Sequence, residues 1–218
     1  MTRDSFPPLI ELRQYMLRPG RRDELIELFA REFVAGQETA GVVVLGYFRD
    51  LDNPDRFVWL RGFRDHDARP VALGRFYGGK IWARRRDTVN AMLVDSDDVL
   101  QLRPVGEVRA LTGAGMIVAL VLLLDAPADE QAVAQVDAEL TSGLDRAGGT
   151  RLGTLVTDPT PNNFPQLPLR DHDNALVHLC AFANRHRGDA WSRAITRPGA
   201  LYHLALRERP VPLRLAAA

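Results

Sequence analysis

Displaced by 107 positions, the sequence partly overlays itself, and a repeat of that length limits the chain to architectures that use one supersecondary unit twice. Leu17 falls on Leu124, Gly36 on Gly143, Gly41 on Gly148 and Gly46 on Gly153. The apolar positions Ile26, Phe29 and Phe33 fall on Val133, Val136 and Leu140. Past a gap the offset becomes 119, and Val58, Leu60 and Phe63 meet Val177, Leu179 and Phe182.

Local patterns show what the repeated unit is. Residues 9–17 alternate, with Ile10, Leu12 and Met16 on one side and Glu11, Arg13, Tyr15 and Leu17 on the other, which predicts a strand. Pro19-Gly20 turns the chain into a helix that opens on Asp23-Glu24 and ends near Gly36. Strands over 42–49 and 56–63 flank the turn Asp52-Asn53-Pro54-Asp55, a helical stretch over 67–91 breaks at Gly78-Gly79, and 99–103 makes a short fourth strand. The second half repeats the order: strand 115–124, helix 128–146, strands 151–157 and 174–182, helix 188–196, strand 200–207. The predicted fold is α+β. Two tandem ferredoxin-like βαββαβ repeats, 8–105 and 114–208, would pack as an intrachain α/β barrel of the dimeric type, followed by a poorly ordered tail at 209–218.

Charge removes several classes of function. Lys plus Arg and Asp plus Glu are both 28, so no overall field draws the protein to nucleic acid or a membrane surface. The run Arg84-Arg85-Arg86 reads as a solvated helix face. Cys180 is alone, which rules out an internal disulfide and fits a reducing, cytoplasmic setting. The start of the chain lacks an apolar signal region, and the apolar run 116–124 is far short of the about 20 residues that span a bilayer.

Several segments resemble the NIPSNAP family: Glu-Leu-Arg-Gln-Tyr-Met-Leu-Arg-Pro-Gly (11–20), Gly-Tyr-Phe-Arg (46–49), Arg-Phe-Val-Trp-Leu (56–60), Phe-Tyr-Gly-Gly (76–79), Asp-Ser-Asp (95–97) and Pro-Asn-Asn-Phe-Pro (161–165). The resemblance implies a dimeric α/β-barrel fold of ferredoxin-like units. It carries no shared reaction, because related barrels include cofactor-independent monooxygenases, haem enzymes and simple binding proteins. Trp59 stands where the family usually has a histidine, and Arg61 where it has an aromatic.

Pairing the first strand with the third sets Arg13 and Tyr15 beside Phe57, Trp59, Arg61 and Phe63, and this polar-aromatic face is expected to line the barrel interior. The competing reading is an interior ion pair of Glu11 with Arg13 or Arg61. In the second repeat the counterparts of Glu11, Arg13 and Tyr15 are the apolar Val118, Leu120 and Leu122, while Trp59 maps to His178 and Arg61 to Cys180. Tyr15, Arg61 and His178 are the candidate catalytic groups. Arg13, Tyr47, Arg49, Trp59, Phe63, Tyr77 and Trp82 are candidate ligand contacts. The twelve extra residues of repeat two coincide with the proline-rich 159–170, read either as a lid offering Asn162, Asn163, Phe164 and Arg170, or as a subunit contact.

No nucleotide loop, flavin motif or metal-ligand spacing is present, and His178 alone could serve haem from the interior. The expected partner is a small molecule, with a homodimer as the expected assembly. Two functions stay open: a cofactor-independent enzyme acting on a small metabolite, and a non-catalytic ligand-binding or interaction module.

Overall fold

The computed structural model describes residues 6–111, 113–197, 201 and 206–218. The chain divides into two compact units. The first comprises residues up to Gln101 together with Asp158–Asp171 and Ala218; the second comprises Leu102–Thr157 and His172–Ala217.

The first unit holds β1 (Leu9–Leu17), α1 (Arg22–Leu28), a π turn at Phe29–Phe33, α2 (Val34–Ala40), β2 (Val43–Asp50), β3 (Arg56–Phe63), α3 (Ala68–Tyr77), α4 (Lys80–Met92) and most of β4 (Leu93–Val105). β3 lies between β1 and β2, antiparallel to both. The second unit holds β5 (Met116–Leu124), α5 (Glu130–Arg146), β6 (Gly149–Thr157), β7 (Asn174–Phe182), α6 (Arg185–Ile195) and β8 (Val211–Ala217). β5 and β7 are its central strands, with β8 outside β5 and β6 outside β7. The fold is α+β, built as two tandem ferredoxin-like repeats.

The repeat holds residue for residue. Glu11, Arg13 and Tyr15 face Arg61, Trp59 and Phe57, and the equivalent Val118, Leu120 and Leu122 face Cys180, His178 and Leu176. Both sheets carry a bulge at the same place, between Val44 and Gly46 in one and between Arg151 and Gly153 in the other. The matched glycines Gly41 and Gly148 both follow a helix with positive φ, +101° and +67°, the left-handed turn that ends a helix at least cost when no Cβ is present.

Four expectations change. The first helix runs past Gly36 to Ala40, because the π turn takes up one extra residue and keeps Phe29, Phe33 and Gln37 facing the sheet. The fourth strand is thirteen residues long rather than short. The segment after Pro210, expected to be poorly ordered, forms β8 against β5, where Leu213 and Leu215 are buried. The predicted strand 200–207 falls largely outside the described residues, and of it Leu206 bridges Leu124.

The fourth change concerns the site. The face carrying Arg13, Tyr15, Phe57, Trp59, Arg61 and Phe63 was expected to line a barrel interior; instead it packs under the helices. The Phe29 ring sits 4.9 Å from that of Trp59 and 5.3 Å from that of Phe57, and Leu73 and Ala72 of α3 cluster with Phe63. Broad aromatic side chains on this face meet the large apolar side chains of α1 and α3, while Ile10, Leu12, Val58 and Leu60 point to the other side of the sheet.

Candidate functional site

Under α3 a single carboxylate holds three guanidinium groups. Arg13 Nη1 donates to Glu11 Oε2 at 2.5 Å, Arg61 Nε donates to the same oxygen at 2.8 Å, and Arg69 Nε donates to Glu11 Oε1 at 2.7 Å. Glu11, Arg61 and Arg69 are 0% exposed and Arg13 is 1% exposed. Burial alone would raise the Glu11 pKa, but the charges of Arg61, Arg13 and Arg69 together outweigh it and hold the carboxyl well below its ordinary range. Two positive charges remain in surplus. Aromatic faces take part of that load: Arg13 lies over Tyr15 and Trp59, Arg61 over Trp59 and Phe63, and Arg69 over Phe63, each within about 6 Å, where such contacts are favourable. Glu11 thus pairs with both Arg13 and Arg61, beneath α3 rather than inside a barrel.

Next to this cluster is a cavity of about 140 Å³ between the sheet and the helices of the first unit. Arg13, Tyr15 and Trp59 line it from the strands, Phe29 and Gln37 from the first helical segment, Phe76, Tyr77 and Trp82 from α3 and α4. Arg13 Nε donates to Tyr15 Oη at 3.1 Å, which leaves the phenol hydrogen free to point elsewhere. Burial pushes the Tyr15 pKa up, so the group stays a neutral hydrogen-bond donor rather than a base.

The proline-rich excursion of repeat two docks on this same unit. Arg69 Nη1 donates to Asn162 Oδ1 at 3.0 Å and to Asn163 Oδ1 at 2.9 Å, and Asn163 Nδ2 donates to the His66 carbonyl at 2.8 Å. Phe164 stacks on Tyr77 with ring centres 6.3 Å apart, and Leu167 reaches the cavity wall. Arg170 pairs with Asp98 at 3.0 Å.

The predicted residues thus divide into groups. Arg13, Tyr15, Trp59, Tyr77 and Trp82 come together around the cavity. Arg61 and Phe63 stand in the wall behind it and do not line it. Tyr47 packs its ring 5.3 Å from Phe29, and Arg49 pairs with Asp23 at the surface. His178 belongs to the second unit and is absent from the lining of this cavity. Arg69 and Gln37 were missed. Both could have been found, since Arg69 shares the helical stripe of Ala72, Leu73 and Phe76, and Gln37 follows Phe29 and Phe33 at spacing four.

His178 sits in a second polar cluster. Its Nδ1 lies 3.1 Å from Asp137 Oδ1, Thr154 Oγ1 donates to the same carboxylate at 2.8 Å, and Arg151 Nη2 donates to Asp137 Oδ2 at 2.7 Å. Burial would raise the Asp137 pKa, but bonds from His178, Thr154 and Arg151 prevail and lower it from 3.8 to about 2. A depressed carboxyl pKa contributes stability above the unfolded value and loses it as pH falls through the folded one. We expect Asp137→Asn to cost about 1–2 kcal/mol at pH 7, allowing for the partial exposure of Asp137, and the difference from the parent to shrink as pH drops from 4 towards 2. Urea titrations across that pH range read it directly; a difference independent of pH would refute the assignment.

Comparison with known proteins bears on the fold. Residues 10–106 match the NIPSNAP family model. No match was found among the curated proteins. Among solved structures, a NIPSNAP-like domain protein from Burkholderia xenovorans is 27% identical over 45% of this chain and 85% of its own, with a TM-score of 0.42. Two proposed monooxygenases match nearly the whole chain: one from Fusobacterium nucleatum at 8% identity, 97% of this chain, 92% of its own and a TM-score of 0.55, and one from Lactobacillus acidophilus at 14%, 97%, 97% and 0.52. At these identities the shared property is the fold of the tandem repeat. No described helix is long and apolar enough to cross a membrane. The first repeat of this chain, residues 10–106, is similar to the NIPSNAP family.

Proposed function

We propose that the first repeat binds a small organic metabolite in the cavity beside Glu11, Arg13 and Tyr15 and acts on it without a cofactor. The observation that carries this reading is the cavity itself: aromatic walls, with a guanidinium and a protonated phenol in the lining. Its volume, about 140 Å³, is close to that of an engineered apolar cavity of about 150 Å³ that holds benzene, which sets the ligand at the scale of one ring. Arg13 and the Tyr15 hydroxyl can stabilise an oxygen that becomes negative, such as an enolate or phenolate oxygen, and so lower the substrate's own pKa. Fold-level likeness to proposed monooxygenases is compatible with this reading and adds no residue roles.

A second reading is favoured by one specific observation. Among the described residues the lining holds no carboxylate and no imidazole, and a site that only binds needs no general base. The two readings part on turnover. If the site is catalytic, Tyr15→Phe lowers kcat/KM by about 100- to 1000-fold, the usual cost of losing one oxyanion donor, in protein that circular dichroism shows to be folded. If a ligand binds the parent tightly, yet neither consumption nor product appears by mass spectrometry under aerobic or anaerobic conditions, the enzyme reading fails and the binding module stands.

A further inference from the structure

We infer that the proline-rich excursion over residues 159–170 is a strap latched to the first unit by the neutral ring of His66, and that acidification through the range where histidine takes up a proton releases it. The inference stands on the contacts of the strap and does not depend on what the cavity beside it binds.

Both ends of the strap are tied to β4. Asp158 N–H donates to the Gln101 carbonyl at 2.9 Å, Gln101 Nε2 donates to the Thr160 carbonyl at 2.9 Å, and Arg170 N–H donates to the Val99 carbonyl at 2.9 Å. Pro159, Pro161, Pro165 and Pro168 restrict the backbone between these ties, so contacts at a few points hold the whole segment. Beyond Thr160 the polar contacts run to His66 and Arg69, beside the start of α3.

These contacts fix the state of the imidazole. His66 Nε2 lies 2.9 Å from the Pro161 carbonyl, which can only accept, so Nε2 carries a hydrogen. On the other side of the ring, His66 Nδ1 lies 3.1 Å from Asn163 Nδ2. The Asn163 amide has one workable orientation, because its oxygen accepts from Arg69 Nη1 at 2.9 Å and its nitrogen donates to the His66 carbonyl at 2.8 Å. A flip would set donor against donor at the first and acceptor against acceptor at the second. Nδ1 therefore faces an N–H and must accept, which the ring does only when neutral, with its hydrogen on Nε2. A second proton turns Nδ1 into a donor aimed at a donor, and this contact of the latch becomes repulsive.

Neighbouring charge does not offset that conflict. From the strap the ring meets neutral groups, the Pro161 carbonyl and the Asn163 amide. On its own side the charged neighbours along the chain are Arg64, Asp65, Asp67 and Arg69. Asp65 is already held by Arg64 Nε at 2.9 Å and by the Ala68 N–H at 2.7 Å, and the buried Arg69, bonded to Asn163, opposes a further positive charge. Release has a consequence for the cavity, because the docked strap stacks Phe164 on Tyr77 and supplies Leu167 to the wall.

Hydrogen exchange of the full chain, followed by NMR and corrected for the intrinsic rate at each pH, tests the latch at Phe164 and Leu167, whose N–H groups are bonded within the docked strap. An ordinary histidine titrates at about 6.5, so a docked state that admits only the neutral ring loses about tenfold in its docking constant between about pH 7.5 and about pH 5.5. We expect the protection of Phe164 and Leu167 to fall by that factor in the parent, while Val58 and Leu60 in β3 stay protected. His66→Ala should leave both strap amides poorly protected at either pH. Asn163→Asp should invert the sign, with more protection at the lower pH, because a carboxylate oxygen facing Nδ1 accepts from the protonated ring. His172→Gln, which removes the histidine that follows the strap, should keep the parent's response. Flat protection in the parent overturns the latch, as does a fall that Val58 and Leu60 share, one that survives in His66→Ala, or one that is lost in His172→Gln. An Asn163→Asp variant with the parent's sign overturns the assignment of the neutral ring.

Discussion

Replacing Glu11 by Gln is expected to destabilise the protein by about 3–5 kcal/mol, the cost of removing one partner from a buried ion pair and leaving the other charge uncompensated. Here the consequence is compounded, because Arg13, Arg61 and Arg69 all rely on this one carboxylate and all are buried. For a chain of this length about 2–4 °C of melting temperature accompanies each kcal/mol, so a drop of about 6–20 °C should be visible in a thermal scan. The pH dependence has a definite sign. The folded-state pKa of Glu11 lies below its ordinary value of 4.5, so its contribution is complete above pH 4.5 and fades as pH falls below it. The parent should therefore lose stability between pH 5 and pH 2 more steeply than Glu11→Gln, which no longer has this proton to bind. Arg69→Met offers the contrast, since it leaves Glu11 with two cations and removes one unit of surplus charge, and it should cost less than Glu11→Gln. A Glu11→Gln variant within 1 kcal/mol of the parent in urea, or a steeper loss for Arg69→Met, would show that the cluster is not organised around this carboxylate.

Much of the fold could be read from residue order, and the reasons are local. β1 and β3 were expected over 9–17 and 56–63, the bounds they have, because each alternates without interruption between strong turn signals. The break between α3 and α4 fell at Gly78-Gly79 as expected, where added Cβ atoms would meet carbonyl oxygens of the preceding turn at 2.8 Å. Which side of the sheet carries the site was not legible. Every residue of β1 from Leu9 to Gln14 is buried, so period-two alternation has no solvent face to fix its sense. Polarity pointed Arg13 and Arg61 to an interior, but ring size decided the matter, because only the face with Phe57 and Trp59 can fill the space below Phe29. The salt-bridge cluster was half visible: an acid in mid-strand calls for a cation, and Arg13 and Arg61 were close in register, whereas Arg69 stands on a helix far along the chain. Asn162 and Asn163 were recognised as polar contacts, but spacing alone could not reveal that their partner is Arg69. Repeat symmetry also drew His178 towards the site of Trp59, its counterpart, although pseudo-equivalent positions in two units are two places.

Phe29→Ala should cost about 3–5 kcal/mol, the range for truncating a buried phenylalanine. Its ring is the hub of the aromatic layer, with centres 4.9 Å from Trp59, 5.3 Å from both Phe57 and Tyr47, and 6.1 Å from Phe33. It also forms part of the cavity wall, so the same change that weakens packing enlarges the ligand space. These two consequences make opposite demands on a single experiment. A loss of packing is read as a lower urea midpoint in the absence of ligand. A larger cavity is read as recovery when a two-ring probe such as indole is added, because a ligand at 100 times its Kd returns about 2.7 kcal/mol to the folded state. The parent, whose cavity is the size of one ring, should gain nothing measurable from indole at the same concentration. If the parent is stabilised as much as Phe29→Ala, this ring does not limit the cavity. If the variant is destabilised and indole has no effect, the surrounding helices collapse into the space, and the wall at Phe29 serves the core alone. Recovery confined to the variant would establish that the residue anchoring the first helix to the sheet also sets the upper size of what the cavity admits.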